Sequence, residues 1–202
     1  MTALSAEQYA TLMRPLNPTR VAKRTQGGKQ LSYLEAYDVR AHLIRLFGFL
    51  GFDAEMLEYQ HVATREYQTP GRDGAPPKDM VEVIYSATMR LVIKSDMMPV
   101  ASYVEGAVGS ASGPANMLGE HHDNALKTAV SDALKRCAIN LGTQFGLGLY
   151  DNGSTREVIK RTLVTPPGVE KPEPTTEQVQ MLEKSLGATV VSSEPEPQET
   201  SA

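Results

Sequence analysis

The stretch MVEVIYSATMRLVIK, residues 80–94, limits what this chain can fold into more than any other. Val81, Val83, Tyr85, Ala87, Met89, Leu91 and Ile93 alternate with Glu82, Ile84, Ser86, Thr88, Arg90, Val92 and Lys94. A period of two sends the first set to one face of a strand and the second to the other, so one face is apolar throughout and the other is mixed. At about 3.3 Å per residue this strand reaches roughly 45 Å. Its backbone needs a ladder partner on each side. DAEMLEYQHVATREYQ (53–68) precedes it across the loop TPGRDGAPPKD, and PVASYVEGAVG (99–109) follows the tight turn KSDMMP. A three-stranded antiparallel meander is therefore expected, with its apolar face covered by another element.

The cover is a helix expected over residues 115–145, where Leu126, Val130, Ala133, Cys137 and Leu141 recur at helical spacing. Lys127, Ser131 and Lys135 run down a polar stripe away from it, and Arg136 is placed to pair with Asp132 one turn back. Two further helices precede the meander. Ser5 can start one over residues 5–14. The other spans 35–50, with Val39, Leu43, Leu46, Phe47 and Leu50 on one face and Asp38, Arg40, His42 and Arg45 turned outward. The fold class is α+β: N-terminal helices, a three-stranded meander, and a long helix packed on it.

The chain has 202 residues, enough for one principal core. From Leu163 onward it changes character. VTPPGVEKPEPTTEQ and SSEPEPQETSA are too polar and proline-rich to bury a core, so residues 1–162 are read as the domain and 163–202 as a disordered acidic tail. A capping-box pattern at Thr175 and Gln178 predicts a short helix over 176–186 inside that tail. The net charge of -4 disfavours a nucleic-acid partner only until it is divided. Residues 165–202 carry seven glutamates and two lysines, which leaves 18 basic and 17 acidic side chains in the body. A local basic stripe is compatible with that balance.

No segment has the run of roughly 18 or more apolar residues that spans a membrane, and the N-terminal stretch lacks a signal-peptide pattern, so a cytoplasmic protein is expected. The single cysteine, Cys137, lies on the apolar stripe and is read as a small buried hydrophobe. His121 and His122 are neighbours on a helix and diverge by about 100°, so they cannot share one metal ion and are read as a solvated face. Gly142, Gly146 and Gly148 close a helix instead of following a strand and opening one, which excludes a dinucleotide or P-loop reading. The glycines of TQGGKQ are most simply a turn; with Arg24 and Lys29 beside it, backbone contact to phosphates is the lesser reading. No nucleophile-base signature or clustered acids stand out, so neither an enzyme nor a nucleotide cofactor or metal is expected.

Three blocks carry a resemblance. LNPTRVAKRTQGGKQ (16–30), LSYLEAYDVRAHLIRLFGFLGFDAE (31–55) and KTAVSDALKRCAINLGTQFGLGLYD (127–151) resemble, in this order and with a meander between the last two, the annealing domain of the Rad52 family of recombination proteins. The resemblance implies a single-strand annealing protein that assembles into rings or helical homo-oligomers and holds single-stranded DNA in a basic groove without chemistry on it. Lys135 and Arg136 match the family's basic pair, which contacts the DNA backbone. Lys127 matches another basic helix position, Lys94 a lysine after the central strand associated with an outer DNA site, and Arg24 the arginine before the double glycine. Two positions depart from the pattern. Asp38 stands where eukaryotic members carry a DNA-facing arginine, and Ile139 where they carry a third arginine on the helix. The short chain points to a phage or bacterial member, with a single-strand-binding protein or exonuclease as a partner for the tail. The competing reading is an oligomeric scaffold of the same fold that binds DNA weakly and works through its acidic tail.

Overall fold

The computed structural model describes residues 4–71 and 75–163, together with Val169 and Gln180. The chain divides after Gly168, and all elements below belong to the first part. Apart from Gln180, the helix expected over 176–186 lies outside the described residues, as does most of the acidic tail. Among the described residues, no helix is long and apolar enough to cross a membrane.

The meander is present and longer than its sequence pattern: β3 (Phe52–Thr69), β4 (Lys78–Ser95) and β5 (Met98–Pro114) pair antiparallel in the order β3-β4-β5. The alternation in β4 is realised as burial, with Val81, Val83, Ala87, Met89, Leu91 and Ile93 all at 3 % exposure or less. The β4–β5 turn is tight enough to hold Asp96 and Met97 at positive φ. Two bulges, at Leu57 and Val62, interrupt the β3–β4 register.

Helix α3 (Leu118–Ile139) covers the apolar face, but it begins and ends inside the expected 115–145. Residues 115–117 form a single 3-10 turn. At the other end Gly142 takes φ 98°, a conformation that stops an α-helix, and the chain continues through 3-10 turns at Thr143–Phe145 and Leu147–Tyr150. The buried seam of α3 also differs from the expected stripe. Ala125, Ala129, Ala133, Leu134, Cys137 and Ala138 are fully buried, whereas Leu126, Val130 and Leu141 flank them half-buried. The reason is backbone proximity. A Cβ at Gly109 of β5 would stand 2.4 Å from both the Ala125 carbonyl oxygen and the Ala129 nitrogen, so only small residues fit where helix and strand meet. Cys137 is buried as expected, and its Sγ–H donates to the Met89 carbonyl at 3.3 Å.

His121 and His122 are not a solvated face. His121 is buried, with Nε2 3.1 Å from the Pro114 carbonyl, and His122 is half-buried against Tyr85. The terminus of β5 turns directly into α3 and brings the helix start back over the sheet, which encloses both rings.

Of the two earlier helices, α1 (Ala6–Leu12) has Ser5 as N-cap in a complete capping box with Gln8. The other, α2 (Ala36–Phe47), buries Val39, Leu43 and Phe47 on the core that also takes in Leu16, Leu34 and Phe145, and it stops at Gly48, leaving Leu50 68 % exposed. Two residues expected to point outward from α2 point inward. His42 is 8 % exposed and lies 5.0 Å from the Phe145 ring, and Asp38 is drawn into an ion pair. Between α1 and α2 runs a hairpin without a counterpart in the sequence reading: β1 (Val21–Gln26) pairs with β2 (Lys29–Leu34) through Gly27 and Gly28. Both turn glycines have positive φ, 57° and 76°, the combination a two-residue type I′ turn requires.

Candidate nucleic-acid interface

The hairpin stands opposite α3 and the glycine-rich turns, and a cleft of about 660 Å³ lies between them. β2 supplies Lys29, Tyr33 and Leu34, β1 supplies Arg24, and α3 supplies Asp132, Lys135, Arg136 and Ile139. Gly146, Leu149 and Tyr150 form the far wall. Four cations therefore face one carboxylate, Asp132, and that imbalance favours an anionic occupant.

The cations are held in position. Tyr33 lies between two of them, with the Arg24 guanidinium carbon 5.3 Å and the Lys135 Nζ 5.6 Å from its ring centroid. Tyr33 Oη donates to Glu35 Oε1 at 2.8 Å, and that hydrogen bond raises the phenol pKa above its ordinary value. The expected Asp132–Arg136 pair is not formed. Asp132 Oδ1 instead takes Lys135 Nζ at 2.6 Å, three residues on, which frees Arg136 to lie over β5 and donate Nη1 to the Gly106 carbonyl at 3.3 Å. Arg136 remains exposed, while Lys135 is 24 % exposed and fixed by its neighbours.

Of the five cations chosen from the sequence, Arg24, Lys135 and Arg136 come together in the cleft, and Lys127 and Lys94 do not line it. Lys127 is on the exposed side of α3, paired with Asp123 one turn earlier. Lys94 is the penultimate residue of β4, with its Nζ 2.8 Å from Asp53 Oδ1 on β3, and only 13 % of its side chain is exposed. Lys29, which the sequence offers only as a neighbour of the glycine turn, also lines the cleft, as do Tyr33 and Tyr150, which the sequence does not single out. The double glycine, a two-residue turn signal, is the cue that could have placed Lys29 and Tyr33 on one hairpin.

The two departures separate in the structure. Ile139 does line the cleft and contributes no charge. Asp38 does not line it and is held in an ion pair instead. Arg20 reaches Asp38 through both Nε and Nη2, the latter at 2.8 Å, and sends Nη1 to the Gln144 carbonyl at 3.0 Å. Gln144 in turn donates Nε2 to the carbonyls of Arg14 and Pro15. This junction ties α2, the segment before β1 and the first turn after α3 into the frame that holds the cleft. His42 lies beside it with Nε2 lacking a hydrogen-bond partner, and burial, reinforced by Arg20 and Arg45, lowers its pKa to about 4.

A three-stranded sheet under a long helix, flanked by a hairpin and a cation-lined cleft, is an α+β scaffold whose cleft suits an anionic occupant. The family model for Rad52/22 family double-strand break repair proteins matches residues 5–166, and the chain belongs to that family. Its field of action is thus DNA repair and recombination. No curated protein matches the sequence.

Proposed function

We propose that this chain binds single-stranded DNA by its phosphates in the cleft and anneals complementary strands as a homo-oligomer, ring or helix. The observation that carries this is the convergence of Arg24, Lys29, Lys135 and Arg136 on one cleft against a single carboxylate. Phosphate contacts fix a strand without reading its bases, which annealing requires. Tyr150, at 75 % exposure, offers a ring face for stacking. Three net positive charges per cleft are few, but repetition around an oligomer turns them into a continuous contact with one strand. Subunit association is supported by edge strand β3, which exposes Met56, Tyr59, Val62 and Tyr67 at 41–55 %.

In this reading the protein does no covalent chemistry and takes no nucleotide cofactor. Lys94 and Lys127 serve outer contacts, and the acidic tail beyond a domain of residues 1–162 engages a protein partner such as a single-strand-binding protein or exonuclease in the cytoplasm. The alternative, an oligomeric scaffold of the same fold that binds DNA weakly, rests on Asp38 and Ile139, neither of which supplies positive charge.

The test mixes complementary oligonucleotides with wild type and with Lys135→Ala/Arg136→Ala and follows duplex formation. Wild type should accelerate pairing at low salt and the double variant should lose most of that acceleration. Equal annealing by the two, or none by wild type, refutes the mechanism.

A further inference from the structure

His122 cannot share an ion with His121, but it does meet another histidine. His61 on β3 lies directly across the ladder from Tyr85 on β4, and His122 on α3 closes over both. The His61 and His122 ring centroids are 5.6 Å apart, and the Tyr85 ring is 5.3 Å from the first and 5.8 Å from the second. One nitrogen of each imidazole is already engaged: His61 Nε2 with Thr64 Oγ1 at 2.8 Å, and His122 Nδ1 with Tyr85 Oη at 3.0 Å. The other two, His61 Nδ1 and His122 Nε2, have no hydrogen-bond partner among the described residues.

We propose that His61 and His122 form a two-histidine site for a divalent transition ion of the zinc type, clipping edge strand β3 to α3. With metal–nitrogen bonds of about 2.0–2.1 Å, a shared ion holds two imidazole centroids roughly 5–6 Å apart, which is the separation observed. The hydroxyls complete the arrangement. A ligating imidazole ordinarily passes its second N–H to an oxygen that fixes its tautomer, and Thr64 Oγ1 and Tyr85 Oη can both accept one. Imidazole ligation selects zinc, nickel or copper over magnesium and calcium. Asp123, the next residue, gives its carboxylate to Lys127, and no group of three or more histidine, cysteine or acidic side chains suited to a metal occurs among the described residues. Water therefore fills the remaining positions. The bulge at Val62, directly after His61, is a local distortion of the kind that redirects side chains at strand edges.

The experiment titrates the untagged full chain with zinc chloride alone in a non-chelating buffer, by calorimetry and by thermal unfolding. Wild type should bind one zinc per chain and unfold at a higher temperature with zinc, whereas magnesium should do neither. His61→Gln and His122→Gln should each weaken zinc binding at least tenfold and abolish the thermal shift. Tyr85→Phe should retain the site with a smaller loss. His61 is exposed, so His61→Gln keeps the fold and decides the matter even if His122→Gln misfolds. Absence of stoichiometric zinc in wild type, or undiminished binding by His61→Gln, overturns the site.

Discussion

A count of charges alone recommends Asp38→Arg, since it would replace an acid by a cation near the cleft. The structure predicts the opposite result. Asp38 and Arg20 are only 13 % and 11 % exposed, and Arg45 Nη2 approaches the same carboxylate at 3.5 Å. Removing one partner of such a pair costs about 3–5 kcal/mol, because the remaining charge is left buried and unmatched. Placing a third guanidinium among Arg20 and Arg45 adds repulsion to that loss. A domain of this size holds about 5–15 kcal/mol in all, so a large share of its stability disappears. At about 2–4 °C per kcal/mol, the midpoint of thermal unfolding should fall by roughly 6–20 °C. Circular dichroism melts at one fixed protein concentration measure this, and single-strand affinity is compared at a temperature where both proteins are folded. Asp38→Asn should lose less than Asp38→Arg, since it keeps hydrogen-bond acceptance. A variant Asp38→Arg that melts within about 2 °C of wild type and binds DNA more tightly would refute the account of the junction.

Three other outcomes follow from particular contacts. Gly109→Ala forces a methyl onto the α3 backbone at 2.4 Å and should destabilise the fold by about 1–3 kcal/mol in urea titration, while Gly106→Ala, whose nearest neighbour is 3.7 Å away, should be much milder. His42 has its pKa lowered to about 4, so below its ordinary 6.5 the unfolded chain takes up a proton that the folded one refuses. That contribution is complete above pH 6.5 and is lost as pH falls from 6.5 to 4. Its ceiling is about 3 kcal/mol, or about 1–2 after allowance for hydration, and His42→Gln should remove that part of the slope in urea melts at pH 7 and pH 5. Deleting residues 165–202 removes a net charge of -5 and should leave the oligomer intact while tightening single-strand binding at low salt; weaker binding in a filter or anisotropy assay would contradict this.

What the sequence disclosed tracks how local each feature is. The β4 pattern repeats every second residue over a long run, and β4 is buried as that pattern requires. The capping box at Ser5 is equally local. The β1–β2 hairpin was hidden because VAKRTQ and KQLSYL alternate poorly, and only the pairing of one with the other makes either a strand. The seam of α3 was misread because hydrophobicity favours Leu126 and Val130, whereas the constraint is the room left by Gly109 on another strand. The fates of Asp38 and His42 depend on Arg20, Gln144 and Phe145, which the chain brings together only on folding. In the cleft, Lys135 and Arg136 stood out as adjacent cations on a helix. Lys29 and Tyr33 needed the hairpin to be seen first.

The type I′ turn at Gly27–Gly28 has a mechanical consequence. One wall of the cleft is a long helix seated on three strands, and the other is a ribbon of two strands with no third beside it. An isolated two-stranded ribbon is marginal in water, so this wall takes its firmness from the Leu34 and Val21 side chains at its base and is softest at the glycine tip. Amide exchange should accordingly be faster from Thr25 to Gln30 than along β4. A cleft with one wall braced by a sheet and one by a two-stranded ribbon should yield first at the ribbon, so a strand laid into it would meet the firmer side as a fixed track.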